Sequence, residues 1–97
     1  MTDQQATGAL HLIFSERGLA NCLAALGART ADATLLLLQD AVYAATRVDP
    51  PLAGCLVLEE DLALRGIGDR LQAPFHTVDR HGFVDLTAAH SPIVSWS

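Results

Sequence analysis

Four consecutive leucines, Leu35 to Leu38, carry no polar alternation. A strand with one face in water alternates, so the run predicts a strand covered on both faces, as in the middle of a parallel sheet. A buried helix could show such a run, but this one is short and stops at Gln39-Asp40. Asp40 is placed to accept a hydrogen bond from the free N–H groups that open a helix, so a polar turn and a helix over 41–46 are expected next. This strand, turn and helix are the unit around which the other segments arrange themselves.

Upstream, Met1 to Thr7 is polar and reads as a flexible tail. Gly8 to Phe14 predicts the first strand. Ser15 predicts the cap of a helix from Glu16 to Leu26 that Gly27 ends. Leu19, Leu23 and Leu26 recur at helical spacing and predict its buried stripe. Ala28 to Ala33 reads as a loop. Downstream, Val48-Asp49-Pro50-Pro51 breaks the second helix. Cys55 to Leu58 predicts a third strand. The acidic Glu59-Glu60-Asp61 then predicts a solvated helix start, with the helix itself over Leu62 to Arg65 and Gly66 ending it. Residues 67–74 read as a loop and Phe75 to Val78 as a fourth strand. Asp79 predicts the cap of a helix over Arg80 to Ala89, with Phe83, Leu86, Thr87 and His90 along one side. Ser91-Pro92 ends it, and Ile93 to Trp96 predicts a last short strand. Strands alternating with helices give an α/β domain: a small doubly wound parallel sheet of four to five strands flanked by helices, one domain over residues 1–97.

Composition sharpens the picture. The chain has 97 residues, of which 51% are apolar, and its mean hydropathy is +0.29. That exceeds the roughly 45–50% typical of soluble domains, and a subunit interface is the simplest place for the excess. No run approaches the ~18 apolar residues that a membrane span needs. The start of the chain lacks the basic and apolar parts of a signal peptide, so a cytoplasmic location is expected. A net charge of −5 argues against this chain gripping a nucleic-acid backbone. All six cations are arginines. Without lysine there is no Schiff base, no pyridoxal-phosphate chemistry and no P-loop.

Few residues are left to carry chemistry. Two cysteines, Cys22 and Cys55, do not make a disulfide scaffold and are expected as free thiols. Cys22 lies about seven positions into its helix, beyond the field at the helix N-terminus that lowers some thiol pKa values. It falls at the margin of the leucine stripe. It reads either as a small, half-buried apolar residue or as a reactive, sulfur-carrying thiol. Arg17 and Arg29 are the nearest cations in sequence. Cys55 starts a core strand and reads as structural. His11, His76, His81 and His90 form no ligand pattern, so no metal is expected. No G-x-G-x-x-G follows the first strand, and nothing resembles a nucleophile elbow, so neither a dinucleotide cofactor nor a serine triad is expected.

Three stretches in order then resemble one family. They are LLLLQDAVYAA at 35–45, LEEDLALRGI at 58–67 and VDRHGFVDLTAAHSPIVSW at 78–96, together with Leu10-His11 and Ser15. The chain resembles the TusB/DsrH family over nearly its whole length after residue 8. It departs from the family pattern at Glu16, where proline is frequent, and at Arg80, where an aromatic is frequent.

The resemblance implies a small doubly wound α/β subunit of a cytoplasmic sulfur-relay complex. Its partners would be TusC/DsrF-like and TusD/DsrE-like subunits in a heterohexamer, with a TusE/DsrC-like protein as sulfur acceptor. Persulfide sulfur would pass between proteins toward 2-thiouridine in tRNA or within sulfur oxidation. The principal sulfur-accepting cysteine would sit on the TusD/DsrE-like partner. Cys22 falls where DsrH-type members carry a cysteine, which implies an accessory persulfide carrier and a DsrH-like role. The subunit itself would be non-catalytic or accessory, without cofactor or metal. Persulfide transfer is attack of a thiolate on sulfur and needs neither.

Two readings from other classes stand beside this one. A phosphoacceptor signalling domain needs a lysine that the chain lacks. An isolated small-molecule-binding or regulatory α/β domain would place a pocket at the carboxyl ends of the strands.

Overall fold

The computed structural model describes residues 8–47, 55–72 and 75–97. The expected tail at 1–7 and the helix-breaking Val48-Asp49-Pro50-Pro51 lie outside these residues. Five parallel strands form one sheet: β1 (Leu10–Ile13), β2 (Thr34–Leu37), β3 (Leu56–Leu58), β4 (His76–Val78) and β5 (Ile93–Trp96). Their spatial order is β4-β3-β2-β1-β5. The chain walks outward from β1 to β4, then crosses back and lays β5 against the free edge of β1.

Three α-helices connect them: α1 (Glu16–Leu26), α2 (Glu59–Leu64) and α3 (Arg80–Ala89). The leucine run serves both faces of the sheet, as its lack of alternation predicts. Leu35 and Leu37 join Ile13 and Val57 under Leu19, Cys22, Ala41, Val42 and Leu62. Leu36 and Leu38 join Leu10, Leu12 and Leu58, with Phe83 and Leu86 of α3 packed on them. One face therefore carries α1, α2 and the segment after β2, while α3 serves the other. No residue of α3 is fully buried.

Two caps form as the sequence predicts. Ser15 Oγ accepts from the Gly18 N–H at 2.9 Å, and Asp79 Oδ1 accepts from the Gly82 N–H at 2.8 Å. Gly27 ends α1 with φ 54°, a conformation open to glycine.

Three expectations are corrected. The segment after β2 is a 3-10 helix, Gln39–Thr46, not an α-helix over 41–46, and Asp40 does not cap it. Gln39 turns the chain with φ 50°, the one non-glycine residue at positive φ among those described. The Leu38 carbonyl then accepts from the Ala41 N–H at 3.0 Å. The 3-10 form stacks residues three apart, and alanine at 41, 44 and 45 keeps that stack uncrowded. Second, α2 takes in the acidic triplet instead of starting after it. Third, the stretches read as loops at 28–33 and 67–74 contain 3-10 turns at Gly27–Asp32 and Gly68–Arg70.

Candidate functional site

Cys22 sits at the centre of the α1 face that meets the sheet, not at its margin. Its exposure is 0%, whereas Leu23 and Leu26 of the predicted stripe are only partly buried. Gly18, Leu19 and Cys22 are the residues of α1 that are fully buried. Burial raises the Cys22 thiol pKa. Cys55 lies in the same apolar cluster. Burial first, and the neighbouring Cys22 charge second, push its pKa up to about 12. Both thiols are therefore protonated at neutral pH, the opposite of what makes a cysteine nucleophilic. Of the two cations nearest in sequence, Arg29 turns onto the carbonyls of Ala25 at 3.1 Å and Leu26 at 3.4 Å. It closes the end of α1 and does not activate the thiol.

The acidic triplet is not simply solvated. Asp61 Oδ2 accepts from the Gln39 N–H at 2.6 Å, which holds the left-handed turn after β2 against the start of α2. Arg65 donates to Asp40 Oδ1 through Nη2 at 2.9 Å and to the Asp61 carbonyl through Nη1 at 3.3 Å. Arg80 Nη2 donates to Glu60 Oε2 at 2.8 Å and ties the start of α3 to the start of α2. Glu59 alone of the three stays exposed without such a partner among the described residues. Asp61 is only 14% exposed and receives a backbone N–H, so its bond is worth more than the exposed Asp40–Arg65 and Glu60–Arg80 pairs. These bonds cross-link the carboxyl ends of β2, β3 and β4, where an isolated binding domain would place its pocket. A hollow of about 300 Å³ lies beside α1, lined by Glu16, Leu19, Ala20, Leu23 and Arg47.

A polar contact that the sequence did not announce joins the two ends of the described chain. His11, in the middle of β1, is 7% exposed. Its Nδ1 accepts from the Trp96 Nε1–H at 3.1 Å, across 85 positions of sequence. The rings are tilted at 36° with centroids 6.3 Å apart. Both residues stand in the family-like stretches, but only the return of β5 to β1 brings them together.

Matched against models of protein families, residues 13–93 fit the one described as DsrH like protein. The chain belongs to the DsrH-like family. No curated protein matches it. The span matched by the DsrH-like model runs from the end of β1 to the start of β5. It includes the leucine run, the cross-linked carboxyl ends, and Cys22. Membership in the DsrH-like family points to a sulfur-relay subunit. Among the described residues no three His, Cys, Asp or Glu side chains gather as a metal-binding group. No helix among them is long and apolar enough to cross a membrane.

Proposed function

We propose that this chain is a DsrH-like building block of a cytoplasmic sulfurtransferase complex. It assembles with TusC/DsrF-like and TusD/DsrE-like subunits in a heterohexamer that hands persulfide sulfur to a TusE/DsrC-like acceptor. The family match over residues 13–93 is the observation that carries this reading. The arrangement of apolar surface supports it. Val84 on α3 and Ile93 on β5, which pairs with Leu10 on the α3 side of the sheet, are 56% and 43% exposed.

In this reading Cys22 is an accessory carrier. Its thiolate would attack the outer sulfur of a donor persulfide; a new S–S bond forms, the old one breaks, and the donor leaves as thiolate. The burial of Cys22 in the free chain means that a partner must first lift α1 or its neighbours from the thiol. The DsrH-type position of Cys22 favours the sulfur-oxidation branch over tRNA wobble-uridine thiolation.

Co-expression with the neighbouring genes tests the assembly. The expected result is a stable complex that elutes as one species, and a chain that purifies alone under the same conditions overturns the reading. Mass spectrometry of the intact complex after a persulfide donor tests the carrier. The expected result is one added sulfur at Cys22. No addition there, with full transfer by Cys22→Ala, leaves the chain as a scaffold.

A further inference from the structure

β5 is an edge strand, and among the described strands it pairs with β1 alone. Its ladder with β1 runs from Leu10 opposite Ile93 to Ile13 opposite Trp96. At its ends the Leu10 N–H meets the Pro92 carbonyl at 3.0 Å and the Phe14 N–H meets the Trp96 carbonyl at 2.9 Å. Beyond the backbone, the Trp96 indole donates to His11 Nδ1. An indole N–H can only donate, so Nδ1 must be unprotonated and the ring proton must sit on Nε2. His11 is therefore held as one neutral tautomer. A second proton has nowhere to go but Nδ1, where it would face the indole N–H as one donor against another.

We propose that the His11–Trp96 bond is an acid-released latch that fastens the edge strand β5 to its neighbour β1. It is independent of the sulfur-relay reading. The groups around His11 all resist its ionisation. β2 places Leu35 beside it in register. β5 presents Val94 opposite it and the Trp96 ring. α1 turns Leu19, Cys22, Leu23 and Leu26 toward this face, and of these only Cys22 titrates, with a thiol that stays neutral in acid. Arg29, at the end of α1, adds a positive charge whose field reaches the ring. None of these described groups is a carboxylate that would stabilise an imidazolium. Burial first, and Arg29 second, accordingly lower the His11 pKa below its ordinary 6.5.

The sign follows. The unfolded chain takes up the proton at about pH 6.5, the folded chain only at lower pH. The latch is fully closed above about pH 6.5 and opens as pH falls through the lower, folded value.

Trp96 is the single tryptophan, so its emission and its indole resonance report this contact directly. The full chain, alone or with its copurified partners, is titrated from about pH 8 to about pH 4.5, a range that brackets the ordinary histidine value. Near neutral pH, NMR is expected to find His11 in the Nε2–H tautomer. On acidification the His11 ring and the Trp96 Nε1–H should shift together with a midpoint below about 6.5. Amide exchange at Leu10 and Phe14 should rise several-fold over the same range. His11→Gln keeps an acceptor for the indole but cannot titrate, so it should hold β5 and lose the acid step. Three results would overturn the proposal: a proton on Nδ1 at neutral pH, a Trp96 indole that ignores the His11 titration, or an unchanged acid step in His11→Gln. Should that variant fail to fold, the tautomer and the joint titration of the unaltered chain decide alone.

Discussion

A thiol that stays protonated cannot attack a sulfur, and the core holds both thiols of this chain in that state at neutral pH. The consequence is measurable in alkali. Cys55 has an ordinary value of 9.0 and a folded value of about 12. A group whose folded pKa is raised stabilises the fold fully below the unfolded value and loses that contribution as pH climbs toward the folded one. Urea denaturation between about pH 9 and about pH 12 should therefore give falling stability, and Cys55→Ala should remove part of the fall. An identical slope in the variant would mean that the Cys55 thiolate is not excluded. The residue scale is also where the sequence was least legible. Spacing placed Cys22 near the α1 stripe, but a helix can roll by one residue. Only packing shows that Leu19 and Cys22 lie at the centre of the buried face, with Leu23 and Leu26 partly buried at its edge. His11 carried no signal either, because its partner lies at the far end of the sequence.

The elements fit closely where α1 begins. Gly18, in its first turn, lies against the carboxyl end of β5. A Cβ there would stand 2.5 Å from the Trp96 carbonyl oxygen and 2.8 Å from its carbon. Backbone cannot rotate aside as a side chain can, so α1 or β5 would have to move. Gly18→Ala should cost about 1–3 kcal/mol in urea denaturation, despite alanine's better helix propensity. A variant as stable as the parent would show that the joint is loose. At this scale the sequence was largely readable: Ser15 and Asp79 cap as their spacing promised, and the leucine run is sandwiched as its lack of alternation required. The exception is the connection at Gln39–Thr46. Asp40 has the chemistry of a cap, but it reaches sideways to Arg65, and the N–H of Gln39 is satisfied instead by Asp61, 22 residues away. Local sequence cannot distinguish a carboxylate that bonds to its own turn from one that bonds to the next.

For the whole molecule, strand number and direction were legible, because alternating strands and helices leave few other arrangements. Strand order was not, since β5 could have continued past β4 instead of returning to β1. That return leaves one face dressed by three segments and the other by α3. It also explains where some of the surplus apolar surface goes: Val84 and Ile93 remain outside. Val84→Asp should leave the stability of the free chain within about 0.5 kcal/mol while abolishing capture of the proposed partner subunits. Undiminished capture would move the interface elsewhere. The strand order bears on synthesis too. Of the five described strands β1 is made first and its outer neighbour β5 last, so on the ribosome one flank of β1 stays open until residues 93–96 have left the exit tunnel. Until β5 emerges to cover it, that flank of β1 is open to wrong strand partners.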